Sequence, residues 1–214
     1  MIIAKLHYIP QGNSAKELLE NIQKGCANGI ELVQLGVKNV SEKKFLKIAE
    51  EAREITSHFQ TRLIIEHQYK IAKAIKADGV LLEKTETNPT IARKHLYTWQ
   101  MIGATANNLQ DAETVLVKEV DYIMLGPFRS IESEENLSPV LGLSGYTLIL
   151  EALKTKTPII GFGDITTEDV TALLETGISG IAVSKEINRN FENIKVFHQL
   201  LNASSTQEQR HTFE

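Results

Sequence analysis

Short apolar runs rich in Ile and Val recur along the chain: "IIAKLHYI", "IELVQL", "TRLIIE", "DGVLLE", "WQMIGAT", "VDYIMLG", "TPIIGFG" and "SGIAVS". Each is followed by a segment of helical period, the pattern of parallel strands buried on both faces and covered by helices. Helix starts are marked. Ser14 with Glu17 and Thr166 with Asp169 predict capping boxes, and Ser41 opens a helix whose Phe45, Ile48, Ala49, Ala52 and Ile55 form one apolar stripe. Gly25 and Gly29, Ala77 with Gly79, and Gly177 with Gly180 punctuate the returns into the next strand. Eight strand-helix units in 214 residues leave about 27 residues per unit, near the lower limit for a closed (β/α)8 barrel. The fold expected is therefore α/β, a single-domain (β/α)8 TIM barrel over residues 1–201 with a polar C-terminal tail, 202–214, that frays. An open doubly wound sheet is the alternative, but no G-x-G-x-x-G follows the first strand.

Composition narrows the partners. With 42% hydrophobic and 23% charged residues, the chain reads as globular. The net charge of −4 is interspersed, which gives no basic footprint for nucleic acid or an anionic membrane. Cys26 is the single cysteine, so neither an intramolecular disulfide nor a cysteine metal cluster is expected. No run approaches the length of a membrane span, and a cytoplasmic location is expected.

In such a barrel the chemistry belongs to the C-terminal ends of the strands. Taken in order, these ends carry His7 and Tyr8; Gln34 and Gly36; Glu66 and His67; Glu83, Lys84 and Glu86; Thr105 and Asn107; Met124 and "GPFRSIESEENLSP"; Phe162, Gly163 and Asp164; and Ser184 with Lys185.

The segments "LVQLGVK", "ADGVLLEKTE", "DYIMLGPF", "SPVLGLSGY", "PIIGFGDI" and "GISGIAVSKEI" resemble, in order and spacing, the motifs of thiamin phosphate synthases and the related thiazole tautomerases, over residues 5–188. The resemblance implies a (β/α)8 barrel, usually oligomeric, so a homodimer is an open expectation. The implied reaction joins a pyrimidine pyrophosphate to a thiazole phosphate with Mg²⁺. Several family residues are replaced. The arginine that the family places after "VQL" to hold pyrophosphate is Gly36, and its Asn-Asp at the end of strand three is Glu66-His67. The histidine of the fourth motif is Leu81, the Gly-Gln after it is Glu83-Lys84, and a metal-binding aspartate aligns with Glu86. A lysine in the loop after strand six falls on Glu134, the glycine pair facing the thiazole phosphate is Gly163-Asp164, and the tautomerase histidine is Pro127.

Read from the residues, the replacements make the mouth more apolar at Leu81, Met124 and Phe162 and place carboxylates at Glu66 and Asp164. Alternation in a strand aims Phe162 and Asp164 the same way, so an apolar wall would raise the carboxyl and make a general base. This leads to one expectation: an engineered pocket that abstracts a proton from carbon, of Kemp-elimination type. Its catalytic candidates are Asp164, Glu66 and His67. Its flat, weakly charged substrate would meet Phe162, Leu81, Met124, Thr105, Gly163, Ser184, Glu83 and Gln34, without a cofactor. The alternatives are a natural thiamin phosphate synthase paralogue with altered phosphate handling, where Mg²⁺ would be needed, and a non-catalytic binding scaffold. A lysine Schiff base at Lys84 or Lys185 is opposed by the neighbouring Glu83 and Glu186. Plainer roles stand beside these. Glu83, Lys84 and Glu86 form a solvated loop, "SIESEENL" an acidic loop, Asp164 part of a helix cap, Phe162 and Met124 core filling, and His67 a side chain turned away from the barrel.

Overall fold

The computed structural model describes residues 3–83, 88–130 and 139–211, with side chains as far as residue 203. Strands β1 (Leu6–Tyr8), β2 (Leu32–Leu35), β3 (Arg62–Glu66), β4 (Gly79–Leu82), β5 (Met101–Ala106), β6 (Tyr122–Leu125), β7 (Ile159–Phe162) and β8 (Gly180–Val183) pair in parallel and in sequence order. The ring closes where Leu6, His7 and Tyr8 pair with Ile181, Ala182 and Val183. Helices α1 (Ala15–Ala27), α2 (Glu42–His58), α3 (Tyr69–Ala74), α4 (Pro89–His95), α5 (Leu109–Leu116), α6 (Gly142–Leu153) and α7 (Val170–Glu175) each follow a strand, and α8 (Lys185–Arg189) and α9 (Asn193–His211) follow β8. The expected (β/α)8 barrel is the fold observed.

Strand alternation divides the core into two layers. On β3, Leu63 and Ile65 face outward and pack under the helices, while Ile64 faces the barrel axis with Leu32, Leu81, Met101, Tyr122, Met124, Ile160 and Ala182. The same alternation turns Gln34 and Glu66 inward at the C-terminal mouth.

At the opposite end of the barrel one device occurs twice. Asp78, just before β4, accepts from the Leu63 amide at 2.8 Å and from Arg53 at 2.6 Å. Asp121, just before β6, accepts from the Ile102 amide at 2.7 Å and from Arg93 at 2.5 Å. Each aspartate pairs a strand-start N–H that the ladder leaves over and draws in a helix arginine.

The predicted helix starts are largely present. The Ser41 hydroxyl accepts from Lys44 N at 3.3 Å, and Thr166 with Asp169 forms a complete capping box. At α1 the box is shifted: Ser14 accepts from Glu17 N, but the Glu17 carboxylate reaches back to Asn13 N at 2.7 Å, one residue earlier. Helix α9 runs through His211, past the expected start of the tail at 202, with Ile194, Phe197 and Leu201 as its buried anchors. No helix among the described residues is long and apolar enough to cross a membrane.

Candidate active site at the barrel mouth

The C-terminal mouth has two unlike sides. On the β2–β3 side, Glu66 ends its strand with 18% of its side chain exposed and accepts a hydrogen bond from Gln34 Nε2 at 2.6 Å. Its other carboxylate oxygen lies over Gly36: a Cβ built there would stand 1.9 Å from Glu66 Oε2. The carboxylate thus occupies the space a side chain at position 36 would need. Burial is the main influence on Glu66 and raises its carboxyl above the ordinary range, against the pull of the Gln34 amide and of His67.

Beneath it lie His7, Gln34 and Tyr122, all buried. His7 meets Tyr122 edge-on with ring centroids 5.5 Å apart. Burial lowers the His7 pKa to about 4, so its ring is neutral near pH 7. His7 Nδ1 and Nε2, Gln34 Oε1 and the Tyr122 hydroxyl find no hydrogen-bond partner of good geometry among the described residues. Buried polar atoms of this kind are ordinarily met by water or ligand.

His67 is not turned away as the strand alternation suggested. Its backbone takes φ 66°, which ends the strand pattern and folds the ring back, with Nε2 3.7 Å from Glu66 Oε2 and 3.9 Å from Glu83 Oε1. Glu83 is half-exposed. Lys84 and Glu86 lie outside the described residues, as does Glu134. Among the described residues no group of three or more His, Cys, Asp or Glu could hold a metal ion. Glu66 and Glu83 both converge on the imidazole, and one Glu66 oxygen is taken by an amide. Mg²⁺ demands hard oxygen ligands in octahedral array, so these residues as placed do not fit it.

On the β7–β8 side, Gly163 has φ +114°, and a Cβ there would stand 2.4 Å from the Phe128 amide, so only glycine fits the turn. Asp164 follows with φ 47°. That conformation breaks the alternation which should have aimed it alongside Phe162. Asp164 is exposed, with Oδ1 3.7 Å from Lys185 Nζ, and does not face the expected apolar wall. Nor does it cap the following turn, a role held by Thr166 and Asp169. Phe162, half-buried, joins Leu81 and Met124 in the inner apolar layer. Thr105 is half-buried beside Met124 in the β5–β6 register. The Ser184 hydroxyl donates to Ile9 O at 2.7 Å and ties β8 to β1.

Sequence reasoning left Arg129 unassigned. It makes a two-pronged pair with Asp169, one prong at 2.6 Å, and donates to Asp164 O at 3.1 Å, which ties the loop after β6 to the turn after β7. Burial alone would raise the Asp169 carboxyl. The Arg129 guanidinium and the Thr166 amide and hydroxyl outweigh it and hold the carboxyl below its ordinary range. A group depressed in the folded state contributes stability above its unfolded pKa, about 3.9, and loses it as pH falls through the folded value. Asp169→Asn is expected to lower the urea midpoint by an amount that is constant above about pH 5 and shrinks toward zero below about pH 4. A gap that persists unchanged at pH 3 contradicts this account of the clamp.

With this geometry in view, the chain's relatives decide its class. A match to the family described as thiamine monophosphate synthase spans residues 6–187. The chain belongs to that family. It is 38% identical over 201 residues to a thiamine-phosphate synthase of Flavobacterium johnsoniae, covering 92% of this chain and 94% of that one. A thiamine-phosphate synthase of Bacteroides fragilis is 32% identical over 200 residues, 92% of this chain and 98% of that one. The fold also matches thiamine phosphate pyrophosphorylase from Pyrococcus furiosus, with a TM-score of 0.78, 24% identity, and coverage of 92% and 96%.

These findings overturn the engineered, Kemp-type eliminase and its lyase chemistry. Natural thiamine-phosphate synthases match the chain over 92% of its length, so design is not needed to explain the framework. Of the candidate bases, Asp164 has a side chain 37% exposed with Oδ1 3.7 Å from Lys185 Nζ, away from the apolar wall expected beside it.

Proposed function

We propose that the protein is a natural thiamine-phosphate-synthase-type transferase whose handling of the pyrophosphate substrate is altered. The observation that carries this reading is the 38% identity spread over 92% of the chain to a thiamine-phosphate synthase. The mouth supports it in part. The glycine turn after β7 keeps backbone at close approach, as a phosphate group requires. Leu81, Met124 and Phe162 supply an apolar floor for a heteroaromatic ring. Joining two such substrates asks the protein chiefly to hold and orient them, work that a rigid barrel rim performs well. The β2–β3 corner works against it. A carboxylate about 4 Å from a phosphate charge costs about 4 kcal/mol at an effective dielectric near 20, close to a thousandfold in affinity.

The test is single-turnover and steady-state formation of thiamin phosphate from the pyrimidine pyrophosphate and thiazole phosphate, with Mg²⁺ supplied and the Flavobacterium johnsoniae relative as control. Saturable product formation, slower than the control by roughly 10² to 10³ through a raised KM for the pyrophosphate substrate, is expected. Absence of product at enzyme concentrations matching the substrates, with the control active, overturns the transferase reading.

A further inference from the structure

His7 and Gln34 stand on neighbouring strands, the one just before and the other just after the Tyr8–Val33 pair, and both are fully buried. Burial, the largest influence on His7, leaves its ring neutral near pH 7, while the Gln34 side chain and then the Ala4 backbone favour a proton on it and Arg62 disfavours one. A neutral imidazole carries one N–H and one bare nitrogen, so it can serve only one of those acceptors. The Gln34 amide is committed at one end, where Nε2 donates to Glu66 Oε1 at 2.6 Å. Its oxygen, turned away from Glu66 by the planar amide, is buried without a well-formed bond and needs a donor. The Tyr122 hydroxyl, kept protonated by burial and then by the Glu66 charge, closes the cluster edge-on to His7. If the amide turned over, Gln34 Oε1 would face Glu66 acceptor against acceptor, and only a proton on Glu66 would relieve the repulsion.

We propose that His7 is a positioning residue: its one N–H belongs to Gln34 Oε1, and by holding that oxygen it keeps the Gln34 amide turned with its N–H groups toward Glu66. His7 is fully buried, so it acts through Gln34 rather than on a substrate, and the inference does not depend on which reaction the mouth performs. A donor held to a carboxylate favours its charged form, so the relay from β1 through β2 to β3 favours ionised Glu66. The charged groups that also bear on Glu66 are His67 beside it, Glu83 after β4 and Lys38 after β2, and none of them changes when His7 is replaced.

Heteronuclear NMR of the His7 ring nitrogens, the Gln34 side-chain amide and the Glu66 carboxyl carbon is recorded on the purified full-length protein, on His7→Phe and on His7→Gln, from about pH 4 to about pH 9. Wild type is expected to show one fixed neutral His7 tautomer near pH 7 and a Gln34 amide slow to exchange with solvent. His7→Phe, which removes the donor, should raise the Glu66 titration midpoint by about one pH unit, roughly tenfold in proton affinity, and speed exchange of the Gln34 amide by roughly tenfold or more. His7→Gln, which restores an N–H donor, should return both toward wild type. A wild-type His7 that averages between its two tautomers overturns the assignment, and that reading holds even if neither variant folds. So does a Glu66 midpoint unmoved in His7→Phe, which would leave His7 with a packing role alone.

Discussion

Replacing Gly36 with arginine and Glu66 with asparagine together is expected to raise kcat/KM for the pyrophosphate substrate by about a hundredfold or more, well beyond the product of the two single effects. The reason is spatial before it is electrostatic. Position 36 has no room for a Cβ while Glu66 Oε2 lies 1.9 Å from it, although the Gly36 backbone is not in the left-handed region. In Gly36→Arg alone, the carboxylate is forced off Gln34 and becomes the nearest partner of the new guanidinium, which is then spent on Glu66 instead of phosphate. Overpacking costs about 1–3 kcal/mol, and the buried Gln34 amide left without its acceptor costs a similar amount. That single variant should lose stability in urea and gain less than about tenfold in rate. Glu66→Asn alone removes a repulsion but supplies no attraction. Only the pair replaces repulsion with attraction, each about 4 kcal/mol before solvent screening. Additive single effects in kcat/KM would show that positions 36 and 66 act independently and that the close approach has no bearing on substrate.

The same corner shows what the sequence could disclose. The barrel was legible because eight β-branched runs alternate with helical stripes, and one closed topology satisfies that pattern. Glu66 and Gln34 were legible as mouth residues because strand alternation sets their direction. The coupling of Gly36 to Glu66 was not legible in either residue alone. It comes from the parallel register, in which Leu35 pairs with Ile65 and so brings the next residue of each strand together. Asp164 and His67 were misjudged for one shared reason: each takes a positive φ just past a strand end, at 47° and 66°, where period-two reasoning ceases to apply. His7 and Tyr122 carry no motif. Their common position on the axis emerges only once β1 and β6 face each other across the barrel.

Tyr146→Phe is expected to be the most costly single-atom deletion in the seam beside the mouth, lowering stability by about 1–3 kcal/mol without opening a large cavity. Tyr146 lies on α6, fully buried, and its hydroxyl donates to Leu125 O at 2.5 Å while accepting from Phe162 N at 3.2 Å. One oxygen therefore meets both the last carbonyl of β6 and the last amide of β7, at the point where Leu125 pairs with Gly161 in the β6–β7 ladder. Deleting it removes a donor from the Leu125 carbonyl and an acceptor from the Phe162 amide in a site with little access for water, where a lost partner costs more than the bond itself contributed. For a chain of this length a loss of 2 kcal/mol lowers Tm by roughly 4 to 8 °C. Phe162 and the Gly163 turn hang from that seam, so thiazole phosphate binding should weaken along with Tm, while binding at the β2–β3 corner should not. A Tm unchanged within about 1 °C would mean that the Leu125 carbonyl and Phe162 amide find other partners, and that the hydroxyl does not hold the β6–β7 seam together.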